Sequence, residues 1–220
     1  MNTIIFDLDG TLIDTEPSAA QTLRDCFSEW QVTLDPQDAE HITGRTWESA
    51  YQFLFKKYEI PVSKAEAKKK MISHYRKIIQ QNLTIVPGSV DAIRSLAEYY
   101  PLGLVSGSGR SEILWALDQL KVRNHFKIIL GAEDYPQSKP QPDGYLKAIQ
   151  LMHAESASCL VFEDSTAGIA SARAAGMWVI AITSTNHFNQ DLSRAHLKIK
   201  DLSLVNPTWI KNLSFGNSID

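Results

Sequence analysis

The sequence predicts an α/β fold, a doubly wound parallel sheet with a helical insert directly after its first strand. Three observations predict it. Short apolar runs alternate with amphipathic stretches from Gly103 onward. The string Ile4-Ile5-Phe6-Asp7-Leu8-Asp9-Gly10-Thr11-Leu12-Ile13-Asp14 sets an apolar strand in front of two acids and a glycine. The stretch between these two regions is rich in helix formers and long aromatic side chains and shows no buried-strand pattern. Strands covered on both faces read as continuous apolar runs, which is the signature of a parallel sheet flanked by helices.

Taken in order, Ile4 to Leu8 supplies the first strand. Alternate strand residues share a face, so Asp7 and Asp9 would point together if the strand continued, but Gly10-Thr11 turns the chain and leaves both acids at the strand's carboxyl end. Two carboxylates held so close repel, and they are tolerable where a cation neutralises them or one carries a proton. Taken alone, the tripeptide also fits a solvated Asx-type turn. From Thr15 to about Leu83, Phe27, Trp30, Trp47, Tyr51, Phe53, Phe55, Tyr58 and Tyr75 populate a helical bundle. Pro87-Gly88 announces the return to the alternating pattern. Strands are then expected at Leu102–Val105, Lys127–Leu130, Cys159–Phe162 and Met177–Ile182. Helices are expected at Ser111–Leu120, Asp143–Met152 and Thr166–Ala175, the last closed by Gly176. The predicted organisation is a Rossmann-like core formed by 1–14 and 84–220, with 15–83 as the helical insert.

At 220 residues the chain can bury a full core, and 44% hydrophobic with 21% charged residues is ordinary for a globular protein. A net charge of −3 offers no basic field for nucleic acid or anionic membrane. Lys56-Lys57 and Lys68-Lys69-Lys70 read as solvated helix faces. Cys26 and Cys159 are far apart, without ligand spacing, and read as buried thiols. No run approaches the roughly 20 apolar residues of a membrane span, and the N-terminus lacks the form of a signal peptide. A cytoplasmic monomer acting on a small molecule is the expectation.

In an open α/β sheet, ligands bind beyond the carboxyl ends of the strands. Those ends carry Asp7 and Asp9, then Ser106-Gly107-Ser108, then Ser138-Lys139-Pro140 after a short loop, then Glu163-Asp164-Ser165. Each has a plainer reading: a turn, a surface lysine, an acidic helix start. Together they form the set that phosphoryl transfer needs. Ser106 and the Gly107 amide could nest phosphate oxygens. Lys139 supplies positive charge. Asp7, Asp9, Glu163 and Asp164 are hard oxygen donors suited to Mg²⁺. The six histidines show no ligand spacing.

The order of these segments resembles the four motifs of the haloacid dehalogenase superfamily of phosphohydrolases. Asp7-x-Asp9-Gly10-Thr11 is similar to the first, Val105-Ser106-Gly107 to the second, Ser138-Lys139-Pro140 to the third and Phe162-Glu163-Asp164-Ser165 to the fourth. The insert looks like the cap of the subgroup that contains sugar-phosphate phosphatases, phosphoglycolate phosphatase and β-phosphoglucomutase. The resemblance implies that Asp7 is the nucleophile and Asp9 the general acid and base. It implies that Ser106 and Lys139 hold phosphoryl oxygens, and that Asp164 and Glu163, the latter directly or through water, bind Mg²⁺ with Asp7 and the backbone carbonyl of Asp9. Halide-releasing members typically lack the second acid, so Asp9 argues for phosphate ester hydrolysis. Mutases share all four motifs, but Trp47 and Gly109 stand where that mutase has cationic side chains. Arg45 is a candidate substrate contact. The expected function is a Mg²⁺-dependent phosphatase working through an aspartyl-phosphate on a sugar phosphate or similar metabolite, with a phosphosugar mutase and a non-catalytic interaction module as alternatives.

Overall fold

The computed structural model describes residues 1–38, 47–187 and 189–213. Arg45 lies outside the described residues, as does the side chain of Trp47. The chain begins with β1 (Thr3–Phe6), turns through the acidic loop and forms the two-residue strand β2 (Ile13–Asp14). Helices α1 (Glu16–Glu29), α2 (Trp47–Lys57) and α3 (Lys64–Gln81) follow. Strand β3 (Thr84–Ile85) then returns antiparallel to β2, so the insert leaves and re-enters the core along a two-stranded ribbon.

The remaining elements alternate helix and strand as far as Trp178–Ile182. They are α4 (Ser89–Ala97), β4 (Leu102–Val105), α5 (Arg110–Gln119), β5 (Phe126–Leu130), α6 (Asp143–Met152) and β6 (Cys159–Glu163), followed by α7 (Thr166–Ala174), β7 (Trp178–Ile182), β8 (Leu197–Ile199) and α8 (Pro207–Lys211). The main sheet is parallel with order β5-β4-β1-β6-β7-β8. The chain winds outward from β1 to β5, then crosses to β6 on the opposite side. The reversal of winding beside β1 is where doubly wound sheets open a crevice.

Alternation within each strand divides the core. Ile4 and Phe6 pack on one side of the sheet with Leu102, Leu104, Leu160, Phe162, Ile180 and Ile182. Ile5 packs on the other with Val105, Val161 and Val179. Phe6 stacks on Phe162 with ring centroids 5.0 Å apart, tying β1 to β6 directly below the acids. The insert has its own apolar centre in Leu23, Cys26, Phe27, Leu54 and Met71. Its helix α3 opens on a capping box, with the Glu66 amide donating to Ser63 Oγ and the Ser63 amide to Glu66 Oε2. Both cysteines are buried and unpaired, and burial pushes each thiol up to about 11.

The structure departs from the sequence reading at the ends of elements. β1 stops at Phe6, not Leu8, because the Leu8 carbonyl accepts from the amides of Thr11, Leu12 and Ile13 and curls the chain into a loop. The β2–β3 ribbon and β8 were not foreseen; strands of two or three residues are too short for a period to register. Among the described residues no helix is long and apolar enough to cross a membrane.

Candidate active site

The loop after β1 carries Asp7 and Asp9 and owes its shape to Gly10, whose φ is +79°. A Cβ there would lie 2.0 Å from Asp164 Oδ2, so only glycine lets the loop pass the carboxylate behind it. The Thr11 hydroxyl donates to Asp164 Oδ1 at 3.3 Å, which joins this loop to the end of β6.

Lys139 comes from the loop between β5 and α6, and its side chain is 13% exposed. Its ammonium donates to Asp7 Oδ1 at 2.5 Å, to Glu163 Oε1 at 2.5 Å and to the Val105 carbonyl at 3.3 Å. All three of its protons are engaged. Glu163 is equally saturated. Oε1 also accepts from the Tyr145 hydroxyl at 3.0 Å, and Oε2 accepts from the amides of Asp164 and Ser165 and from the Ser165 hydroxyl. Burial alone would raise the Glu163 carboxyl, but Lys139 and these donors hold it below its usual range. Asp7 and Asp164 go the other way. Burial pushes Asp7 well up, with Lys139 opposing and Glu163 and Asp9 adding to the rise. Burial, then Glu163, Asp7 and Glu16, push up Asp164.

Asp7, Glu163 and Asp164 each bring an oxygen into a group whose members lie within 4.8 Å of one another, against a single lysine. Such an excess of buried negative charge is poorly stabilised by protein alone. The all-oxygen donor set fits a hard divalent cation. Among the described residues only Lys139 donates to the Asp7 carboxylate and only Thr11 to that of Asp164, so those two acids keep oxygens free for a metal.

Asp9 sits apart from this cluster, among hydroxyls. Its Oδ2 accepts from Ser108 Oγ at 2.6 Å and Ser106 Oγ at 3.2 Å, and its Oδ1 from Thr15 Oγ1 at 3.0 Å. Ser106 is fully buried and accepts the Ser108 amide at 3.0 Å, and its carbonyl is held by the Tyr135 hydroxyl at 2.8 Å. Tyr75 of α3 brings its phenol to the Thr15 side chain and into the field of Asp9. The structure thus brings together Asp7, Asp9, Ser106, Lys139, Glu163 and Asp164, with Gly107 beside them in the loop after β4. It leaves Arg45 undecided. Sequence reasoning missed Thr15, Tyr75 and Tyr145 as partners of these groups, and saw Ser108 only as part of a turn.

The model of the haloacid dehalogenase-like hydrolases matches residues 4–182. The chain belongs to this family. It is therefore an enzyme of hydrolase lineage, and its relatives with named activities include phosphatases. The fructose-1-phosphate phosphatase YqaB of Escherichia coli is 29% identical over 79% of this chain and 92% of its own. The validoxylamine A 7′-phosphate phosphatase of Streptomyces hygroscopicus is 29% identical over 91% of this chain and 94% of its own. Among solved structures, a β-phosphoglucomutase from Clostridium difficile superposes with a TM-score of 0.78 over 96% of both chains at 24% identity, which is a likeness of fold.

Proposed function

We propose that this chain is a Mg²⁺-dependent phosphomonoesterase acting on a sugar phosphate or similarly small phosphorylated metabolite, with Asp7 as nucleophile and Asp9 as proton carrier. The observation that carries the reading is the pairing of two acids in opposite surroundings: Asp7 against the Lys139 ammonium at 2.5 Å, and Asp9 among three hydroxyls. Two titratable groups in contrasting environments are the usual basis for divided acid and nucleophile roles.

In the first half-reaction an oxygen of Asp7 forms a bond to phosphorus while the ester P–O bond breaks, and Asp9 gives its proton to the leaving oxygen. In the second half-reaction water attacks the aspartyl-phosphate, Asp9 takes a proton from it, and the bond between Asp7 and phosphorus breaks to release inorganic phosphate. Lys139, Ser106 and the Gly107 amide hold the phosphoryl oxygens. Asp7, Asp164 and the main-chain carbonyl of Asp9 would hold the metal. Glu163, with every lone pair occupied, orients Lys139 and braces the loop after β6, and meets a metal only through water. Bound Mg²⁺ supplies the charge that lets an anionic nucleophile approach an anionic ester. The insert, 15–83, brings Tyr75 to the Thr15 side chain, on the side of the site where Asp9 and the substrate's organic part lie. The named substrates of the two phosphatase relatives support small phosphorylated carbohydrates as the substrate class.

Phosphate release measured over sugar phosphates, phosphoglycolate and nucleotides tests the reading. Activity is expected with at least one phosphomonoester, abolished by EDTA, restored by Mg²⁺, and lowered by several orders of magnitude in Asp7→Asn while the fold persists. Full activity in chelator, or near-normal turnover by Asp7→Asn, overturns it.

A further inference from the structure

Glu16 opens α1, directly after the Thr15 that holds Asp9. It is 6% exposed. Among the described residues its Oε1 receives only a long bond from Gln190 Nε2, 3.4 Å, and its buried Oε2 has no hydrogen-bond partner. Asp14 Oδ1, two residues earlier, is also buried and unpartnered, while Asp14 Oδ2 is taken by His187 at 2.8 Å. Buried carboxylate oxygens without donors are uncommon and costly, and they call for a partner that the described residues do not supply.

The position of Glu16 says where that partner would sit. Glu16 follows the residue whose hydroxyl holds Asp9 Oδ1, and its charge acts on Asp164 as that of Asp9 acts on it, which puts the carboxyl on the Asp9 side of the site. Asp9 protonates the leaving oxygen, so the groups around it border the organic part of the ester. His187 and Gln190, from the segment after β7, close the far side. Burial, opposed by His187 and Gln190 and reinforced by Asp14 and Asp9, pushes the Glu16 carboxyl up to about 7, so near neutrality it serves both as donor and as acceptor.

Resting on the phosphatase reading, we propose that Glu16 is a specificity-determining residue whose free oxygen binds a hydroxyl of the substrate's organic part, so that polyhydroxylated phosphomonoesters are favoured over esters without hydroxyls. A hydroxyl both donates and accepts, and so pairs with the carboxyl in either protonation state. A site built around such a bond penalises a ligand that lacks the hydroxyl, because the carboxyl is then left buried and unpaired.

The test compares kcat/KM for fructose 1-phosphate and glucose 6-phosphate with that for p-nitrophenyl phosphate, in wild type, Glu16→Ala, Glu16→Asp and Glu16→Gln. The ratio of the better sugar phosphate to p-nitrophenyl phosphate is expected to fall roughly tenfold or more in Glu16→Ala and Glu16→Asp, and to recover in part in Glu16→Gln, whose amide also donates and accepts. Thermal melts identify any variant that fails to fold, and Glu16→Asp decides the matter if Glu16→Ala is lost. An unmoved ratio overturns the assignment. So does equal loss on both substrates with a raised Mg²⁺ requirement, which would give Glu16 to a metal-bound water. Wild type that hydrolyses none of these esters overturns the phosphatase reading and this inference together; wild type that hydrolyses them with an unmoved ratio overturns the inference alone.

Discussion

Thr15 occupies the N-cap position of α1, yet its hydroxyl donates to Asp9 Oδ1 at 3.0 Å and makes no cap hydrogen bond. A residue type chosen most often to satisfy a helix amide is here turned to Asp9, the proposed proton carrier. Because Thr15 is also the first residue beyond the β2–β3 ribbon, the geometry of Asp9 is coupled to the root of the helical insert.

That arrangement separates function from stability at one side chain. Thr15→Val keeps the branched shape and removes the donor, so kcat is expected to drop roughly 10- to 100-fold. The melting temperature should move by only a few degrees, since no cap is lost. Ser108→Ala, which deletes the 2.6 Å bond to Asp9 Oδ2, should act in the same direction. Steady-state kinetics with thermal melts check both. A large stability loss at unchanged kcat would make Thr15 a structural residue.

Gly168 offers a change of sign. Glycine to alanine inside an exposed helix ordinarily stabilises by about 1 kcal/mol. Here a Cβ would stand 1.7 Å from Glu163 Oε1, on the carboxylate that positions Lys139. Gly168→Ala is expected to destabilise by roughly 2–3 kcal/mol as an overpacked site, and to lower activity with it. Urea denaturation reads the first effect and phosphate release the second.

The six residues gathered at the site were legible because they follow four apolar runs and the parallel topology sends every such end to the same edge. Chain distance is no obstacle to that argument: Asp7 and Asp164 meet across most of the fold. The groups that hold them were not legible. Thr15 and Ser108 look like any polar residue in a cap or turn, and Tyr145, fully buried on α6, reads as core until its hydroxyl is seen on Glu163 Oε1. Periodicity reports which face a residue lies on; the partner a hydroxyl finds is decided by a neighbouring element that periodicity does not see.

Glu16 makes stability depend on pH. Its carboxyl ionises near 4.5 in the unfolded chain and at about 7 in the folded one, so between these values the folded state binds more protons. Stability is therefore full below 4.5, falls as pH rises toward 7 and levels off beyond, by an amount on the order of 3 kcal/mol for this group. In metal-free protein, Glu16→Gln should leave stability nearly unchanged at pH 5 and raise it at pH 8. Melting curves across that range check the sign, and an equal shift at both ends would remove Glu16 as the source.

The choice between phosphatase and mutase turns on cationic groups for a second phosphate. A mutase must shield its aspartyl-phosphate from water while a bisphosphate intermediate turns round, which requires positive side chains gripping the distal phosphate in a closed site. After β4 the structure offers Ser108, turned to Asp9, and Gly109. The cation that follows, Arg110, is drawn off to the Ile129 carbonyl at 2.9 Å and Asp134 Oδ2 at 3.1 Å. On the insert side Arg76 of α3 is paired with Glu112 of α5. With those groups committed elsewhere, water should win the competition for the phosphoenzyme. β-Glucose 1-phosphate, where accepted, is expected to give glucose and inorganic phosphate, not glucose 6-phosphate, with or without a bisphosphate primer. NMR that follows both products decides it: primer-dependent glucose 6-phosphate formed faster than phosphate would establish the mutase and point to Arg45 as the grip on the distal phosphate.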